Sequence, residues 1–392
     1  MNLNQQLENI RQSPTVAMND RIVAARAAGR AVIPLQVGDP DFATPSAVLR
    51  AATQALRNGQ THYASSQGLT SLRESAALKL RRDNDLEYDP ASEILVTHGG
   101  IHAYYLALQS LLNPGDEVLL PNPSWATHAN MVTLLRGVPV PVPARPEENF
   151  LPSFEAWQAA LTSRTRAIVI NYPSNPTGAY PSREYLTKLQ QFAAAHHLWL
   201  VSDEVYENLY YEEKPVSAAL GAQERTLLIH SLSKTYAMTG WRVGYLAAPA
   251  AVIQNALKAS QASITCVAPF VQQAAAFALR DPRIQREAAQ MRQTYARRRA
   301  LVLEMAAQRP GLPLRVTAPR GAFYFFLDFR PLKMDSVELC ERLLAEAGVG
   351  LVPGLAFGSQ GQGFVRMTIA AADEQVRAGL QAIFNWLERK TA

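Results

Sequence analysis

Between about residues 93 and 230, short apolar runs without alternation are separated by stretches of helical periodicity. The runs are Glu93–Thr97, Glu117–Leu120, Ala167–Asn171, Trp199–Asp203 and Thr226–His230. Strands that are apolar at nearly every residue are buried on both faces. Strands separated by helices build βαβ units and a mostly parallel sheet. Helical patterns cover Ser46–Asn58, Leu69–Asp83 and the stretch from Gly99-Gly100 to Leu112, which the turn Asn113-Pro114-Gly115-Asp116 stops. After about residue 285 the character changes. A long helix over Arg286–Gln308, a strand over Ala322–Asp328, a helix over Ser336–Gly348, a strand over Phe364–Ile369 and a helix over Asp373–Arg389 predict a smaller α+β domain. A single core stops growing near ~250–300 residues, so a chain of 392 should be divided. The expected division is an N-terminal arm and part of the small domain over 1–45, a large domain over 46–284 and a small domain over 285–392. The arm is expected to pack with the small domain or to reach a partner chain.

Composition excludes several other classes. Lys plus Arg is 38 against 33 for Asp plus Glu, a net charge of only +5. The densest basic runs, Arg297-Arg298-Arg299 and Arg81-Arg82, fall inside helical patterns and read as solvated helix faces. They do not make the clustered surface that nucleic acid requires. Two cysteines, Cys266 and Cys340, exclude a disulfide scaffold or a Cys-rich zinc module. Both are expected to behave as small buried hydrophobes in a reducing compartment. The start of the chain lacks the basic and then apolar pattern of a secretory signal. No apolar run reaches the ~18 residues that suggest a membrane helix. A cytoplasmic α/β protein with no nucleic-acid or membrane partner is therefore expected.

In open parallel sheets, ligands bind beyond the carboxyl ends of the strands. Gly99-Gly100, Asn171 to Gly178, Asp203 to Tyr206 and Ser231 to Lys234 all follow such strands, so they should converge on one site. Lys234, just after a buried strand, is costly unless paired or used. As an amine forming a Schiff base with a carbonyl it would be useful. Eight residues on, Arg242 would hold a phosphate, and Ser231 would donate to the same group. The competing reading is a surface lysine in a Ser-rich loop. Asp203 needs a cationic partner at its depth, and a protonated pyridine nitrogen would serve. Tyr206 would then donate to a ring hydroxyl. Asp203 also suits a helix N-cap. Gly99-Gly100 opens a helix and offers N–H groups to an anion, or simply makes a tight turn. No GxGxxG follows a strand, so a dinucleotide site lacks its fingerprint. Asn175 would donate to a ring oxygen, or else only shape its Asn-Pro turn. Arg366, in the apolar run Phe364–Ile369, would bind a carboxylate through its two-pronged guanidinium if it points inward. The other reading turns it outward.

As an ordered set, these segments resemble the fold-type I pyridoxal-5′-phosphate (PLP) enzymes, specifically the class I/II aminotransferases. The resemblance runs from Val37-Gly38-Asp39-Pro40-Asp41-Phe42 to Arg366. It includes His62-Tyr63, Val96 to Gly100, Asn113 to Glu117, Asn175-Pro176-Thr177-Gly178, Ser202 to Tyr206, Ser231-Leu232-Ser233-Lys234, Gly240-Trp241-Arg242-Val243-Gly244 and Gly321 to Tyr324. It implies a large domain on a mostly parallel seven-stranded sheet in αβα layers, plus a smaller α+β domain. It also implies that Lys234 is the Schiff-base lysine and general base, and that Asp203 pairs with the pyridine nitrogen. Tyr206 and Asn175 hold the ring hydroxyl oxygen. Gly99, Gly100, Ile101, Ser231, Ser233 and Arg242 surround the phosphate, and Trp125 stacks on the ring. Tyr63 reaches the phosphate of the neighbouring subunit of a homodimer with shared sites. Gly38, Asn175 and Arg366 meet the substrate carboxylate. Two stretches depart from the family pattern. Ile101-His102 stands where relatives often carry Lys-Gln or Ser-Gln, and Ser124-Trp125-Ala126-Thr127-His128 replaces a more common Tyr-containing stretch, which should alter the pocket wall.

The implied reaction moves the amino group of an L-amino acid to a 2-oxo acid by a ping-pong route. Aspartate or glutamate is the default donor, with arginine, aromatic and aliphatic donors open. A dicarboxylate needs a second cation, for which Arg320, Arg292 and Arg21 are candidates. A PLP-dependent C–S β-lyase, or another non-transaminating enzyme of the same fold, is the alternative.

Overall fold

A computed structural model describes residues 7, 8, 10 and 14–391. The part of the expected N-terminal arm formed by residues 1–6, 9 and 11–13 lies outside the described residues. The strands are β1 (Ile33–Pro34), β2 (Ile94–Thr97), β3 (Glu117–Asn122), β4 (Val138–Pro143), β5 (Thr165–Asn171), β6 (Trp199–Asp203), β7 (Thr226–Ser231), β8 (Gly244–Ala247), β9 (Tyr324–Asp328), β10 (Val349–Gly350), β11 (Val352–Pro353) and β12 (Phe364–Thr368). Seven form the central sheet in the order β2-β8-β7-β6-β5-β3-β4. All run parallel except β8, which is antiparallel to both of its neighbours.

The sheet is covered on both sides because its strands are apolar on both faces. Ile94, Val96, Leu228, Tyr245 and Ala247 pack with Val48 and Leu72 from one helical layer. Leu95, Leu227, Ile229 and Leu246 face the other way, against Tyr104, Leu106, Val252 and Ile253. Neighbouring residues of one strand thus enter opposite cores, as the two-residue period of a strand requires. Two of the seven strands lie outside the five apolar runs. The first, β4, reads Val-Pro-Val-Pro-Val-Pro and occupies an edge, where prolines that cannot donate to the ladder are tolerated. The second, β8, is a four-residue strand inside the Gly240–Gly244 region and its continuation.

The C-terminal elements form a three-stranded antiparallel sheet, β11-β12-β9, while β1 pairs with β10 in parallel. Their core joins Met18, Ile22 and Leu35 from the chain start to Val302, Phe325, Val365, Leu380 and Trp386. The long helix begins at Pro282 rather than Arg286 and ends at Ala307. Asp281 accepts from Arg283 N (2.8 Å) and Pro282 follows it, a start signal with a missing N–H where none is needed. This helix also corrects the reading of Arg297-Arg298-Arg299 as a solvated face. Arg298 is buried and paired with Asp41 and Asp373, because it points at the core side of the helix. Cys340 is buried as expected, but Cys266 is only half-buried.

Candidate active site

The carboxyl ends of β5, β6 and β7 and the start of the helix Gly99–Leu111 after β2 open into one cavity of about 330 Å³. Gly38, Gly100, Ile101, Trp125, Asn175, Asp203, Tyr206, Ser231, Ser233, Lys234, Arg242 and Arg366 all line it. The four post-strand segments therefore meet, as the parallel order of these strands dictates. Gly99 stands behind this lining. At φ +76° it is in the left-handed region, and a Cβ there would lie 2.7 Å from an Arg242 guanidinium nitrogen. The backbone conformation favours glycine, and a side chain there would push the guanidinium from its place. Tyr63 does not reach this cavity and is 88% exposed on the single chain.

Lys234 follows β7 on a short helical turn that Ser231 caps by accepting from Ser233 N (3.1 Å). Lys234 Nζ donates to Gly38 O at 2.7 Å. Burial pulls its ammonium down to about 8, with Asp39 opposing the shift. Asp203 ends β6. Its Oδ2 lies 3.1 Å from His128 Nε2, and its Oδ1 accepts from Val205 N at 3.3 Å. Turns rather than a helix follow Asp203, so the carboxylate is not a helix cap. Tyr206 OH meets Tyr324 OH at 3.0 Å. Burial first, and then Tyr324, push the Tyr206 phenol well above its ordinary range, so it stays protonated.

Arg366 points inward from β12 and is buried. Its guanidinium donates to Asn175 Oδ1 (2.8 Å) and Gln36 O (2.7 Å), whereas its buried Nε has no partner. Asn175 is itself held by Asn171 Oδ1, which accepts from Asn175 N at 3.0 Å. The three candidate cations for a second carboxylate lie elsewhere. Arg320 donates to Glu212 and to Tyr180 O, Arg292 stacks on the Tyr210 ring at 4.1 Å, and Arg21 pairs with Glu341. Among the described residues, the cations lining the cavity are Lys234, Arg242 and Arg366.

Three residues at or beside the site are given no role from the sequence. His128, Tyr324 and Gln36 act through partners 75, 118 and 330 positions away. His128 lies in the stretch read as an altered pocket wall and Tyr324 in the Gly321–Tyr324 segment of the resemblance, whereas no signal points to Gln36. Behind the site, Glu207 accepts from Asn84 Nδ2 (2.7 Å) and pairs with Lys79, with His230 Nδ1 at 3.4 Å. Glu204, Glu207 and His230 are close enough to share an ion, but the Lys79 ammonium already supplies a positive charge there.

Comparison with known proteins identifies this arrangement. The family Aminotransferase class I and II matches residues 30–383. The chain is 40% identical over 388 residues to the aspartate/prephenate aminotransferase of Thermus thermophilus, covering 99% of each. It is 38% identical over 362 residues to aromatic-amino-acid aminotransferase 2 of Thermococcus litoralis, covering 92% of each. Its structure matches the Thermus thermophilus aspartate aminotransferase with maleate at a TM-score of 0.93 and 40% identity, covering 98% of this chain and 99% of that one. With a lysine, an aspartate and two arginines gathered in one cavity of a fold matched along nearly its whole length, the chain belongs to the class I and II aminotransferases, transferases that depend on pyridoxal phosphate.

Proposed function

We propose that this enzyme moves the amino group of an L-amino acid to a 2-oxo acid, with Lys234 as the amine that carries the cofactor and then transfers the Cα proton. The observation that carries the reading is the convergence of Lys234, Asp203, Arg242 and Arg366 on one cavity. Three features support the fit of the cofactor and substrate. Gly99 makes room for Arg242 beside the helix start, Arg366 keeps a buried Nε free for an anion, and burial of Lys234 favours its neutral, nucleophilic form. When bound, pyridoxal phosphate supplies an aldehyde for imine exchange and a ring that takes up the electron pair left at Cα.

The remaining roles belong to the chain. Arg242, Ser231, Ser233 and the N–H groups of Gly100 and Ile101 hold the phosphate, and Gly99 leaves Arg242 the space to do so. Asp203, steadied by His128, keeps a proton on the ring nitrogen. Tyr206 and Asn175 hold the ring hydroxyl oxygen, and Trp125 covers the ring face. Arg366, Gly38 and Asn175 receive the α-carboxylate. Lys234 Nζ would serve as the general base that takes the proton from the donor's Cα and holds it for return. The three cations that this chain brings to the cavity, Lys234, Arg242 and Arg366, are accounted for by the cofactor amine, the phosphate and the α-carboxylate. The donor side chain stays open among aspartate or glutamate, arginine, aromatic and aliphatic.

The same proposal includes a cytoplasmic homodimer in which Tyr63 completes the partner's phosphate site; its exposure on the single chain supports this. It also takes 46–284 and 285–392 as the large and small domains, with 1–45 serving the small one. The core shared by Met18, Ile22, Leu35 and the C-terminal elements supports that division. No helix among the described residues is long and apolar enough to cross a membrane.

The test mixes holoenzyme with single donors and no acceptor, following loss of the cofactor's visible absorbance. Aspartate, glutamate, phenylalanine, leucine and arginine are tried in turn, and at least one should convert it. Conversion by no donor would remove the transaminase reading. Release of ammonia and pyruvate from a donor carrying sulfur on Cβ, such as cystathionine, without a second substrate would point to a β-lyase.

A further inference from the structure

Residues 35–42 form a strap that brings Gly38 to the cavity, fastened along its length. Leu35 O accepts from Thr368 N (2.9 Å) and Gln36 O accepts from Arg366 (2.7 Å), both donors belonging to β12. Gly38 O accepts from Lys234 Nζ (2.7 Å). Asp39 Oδ1 accepts from Thr239 Oγ1 (2.7 Å). At the far end, the Arg298 guanidinium grips Asp41 with two parallel bonds, 2.9 Å to Oδ1 and 2.8 Å to Oδ2.

Arg298 lies within the helix Pro282–Ala307 and is only 5% exposed. Its other bonds reach Asp373 Oδ1 (2.7 Å), at the start of the last helix, and Ile369 O (3.1 Å), just past β12. Its guanidinium carbon stands 5.7 Å from the Phe42 ring and 5.8 Å from the Tyr295 ring. One planar cation thus ties the strap end to two helices and the β12 end. A forked pair fixes direction as well as distance.

Arg298 does not line the cavity, yet the strap it anchors carries Gly38 there. Gly38 has little freedom of its own, since a Cβ on it would fall 2.1 Å from Tyr324 OH. Tyr324 OH in turn meets Tyr206 OH. A shift of the strap is therefore felt by the acceptor of Lys234 and by the two tyrosines. We infer that Arg298 is a positioning residue, which by gripping Asp41 sets where Gly38 stands against Lys234 and the amino-acid donor. The inference rests on the proposed role of Gly38 and Arg366 in receiving the donor carboxylate.

The test compares Arg298→Lys and Asp41→Asn with Asp373→Asn in the holoenzyme. Asp373→Asn weakens an equally short bond to the same guanidinium without releasing the strap. Because Asp41 is partly exposed and Asn is nearly isosteric, Asp41→Asn is the decisive variant even if Arg298→Lys fails to fold. Asp41→Asn and Arg298→Lys should raise the donor KM about tenfold with kcat within about threefold, since a small misplacement of a binding group acts on substrate positioning. Cofactor absorbance should be retained, and exchange of the Leu35 and Thr368 amides, which donate to Gly350 O and Leu35 O, should quicken about tenfold. Asp373→Asn should change neither. Unchanged KM in Asp41→Asn would overturn the inference, as would equal exchange of those two amides in Asp41→Asn and Asp373→Asn. If the wild type itself converts no donor, the functional reading fails, and the exchange comparison still decides whether Arg298 sets the strap.

Discussion

His128 Nε2 and Asp203 Oδ2 stand 3.1 Å apart, both buried, and of the two Asp203 lines the cavity. An ionised carboxylate only accepts, so Nε2 carries the proton of this bond. Tyr104 OH donates to His128 O (3.1 Å), and the Trp125 ring meets the imidazole edge-on with centroids 5.3 Å apart. The carboxylate assigned to the cofactor's ring nitrogen is thus aimed by a histidine whose own place is set by two aromatic residues. His128→Phe should lower the stability of the cofactor-free protein by about 1–3 kcal/mol, the cost of leaving a buried acceptor short of a donor. His128→Gln should recover part of it, because its amide nitrogen reaches the place of Nε2 and can donate. Denaturant midpoints of the three proteins measure this, and equal midpoints would show that the bond contributes nothing.

Lys234→Ala should abolish turnover and the visible absorbance after addition of pyridoxal phosphate, and borohydride should trap no adduct at position 234. The lysine also leaves a mark on the cofactor-free protein. Its folded pKa, about 8, lies below the ordinary 10.5 because burial disfavours the ammonium. Between those values the unfolded chain binds more protons, so stability rises with pH through that window. Lys234→Met lacks the titration. Wild type should therefore gain on the variant as pH climbs from about 8 to 10.5, and parallel stability curves would refute the burial argument.

Arg366→Ala should chiefly weaken the donor. It removes a buried cation joined to Asn175 and Gln36, and leaves those acceptors without it. A loss of about 10²-fold in kcat/KM is expected for one half of a desolvated charge pair. Cofactor absorbance should stay near normal. Equal loss of cofactor and donor binding would mean that the arginine holds the fold rather than the carboxylate.

Most of the site was legible because chemistry-bearing residues directly follow buried strands, and strand order then brings them together. Asp203 after Trp199–Ser202 and Lys234 after Thr226–Ser231 are examples: local pattern located the strand end, and the parallel sheet did the rest. What stayed hidden depends on contacts between distant segments. Nothing near Arg298 distinguishes it from its flanking arginines. Its burial depends on helix phase and on Asp41, 257 positions away. Strand β4 was hidden by its prolines, which deny a central place but permit an edge.

Glu204 provides a pH test away from the cavity. It accepts from Ser202 Oγ (2.8 Å), Ser217 Oγ (3.0 Å) and Ala218 N (2.9 Å). Burial, then the nearby Glu207, nevertheless raise its pKa from 4.5 to about 7. Between these values the folded chain holds a proton that the unfolded chain has released. The contribution is therefore full below about 4.5 and is lost as pH rises through about 7. Glu204→Gln, which still offers an acceptor oxygen, should lose less stability between pH 5 and pH 8 than wild type. A difference on the order of 1–3 kcal/mol is expected from such a shift. Identical pH dependence would place the proton elsewhere.

The two glycines of Gly240-Trp241-Arg242-Val243-Gly244 should respond in opposite ways. A Cβ at Gly240 meets nothing within 4 Å, whereas one at Gly244 would lie 2.5 Å from His230 O, 3.0 Å from Gly99 C and 3.2 Å from Gly100 N. Those contacts are backbone, in the sheet and at the helix start that borders the cavity, so they cannot swing aside. Gly244 also pairs with Thr97 on one side and Ser231 on the other, so pushing it outward opens the ladder at both neighbours. Gly244→Ala should cost about 1–3 kcal/mol, the usual range for an overpacked methyl. It should also weaken pyridoxal phosphate binding, because Gly100 and Ser231 are displaced together. Gly240→Ala should be near neutral in both. Melting temperature and titration of the visible absorbance read the two effects separately. A Gly244→Ala protein that melts lower yet binds cofactor normally would show that the glycine serves the sheet and not the site.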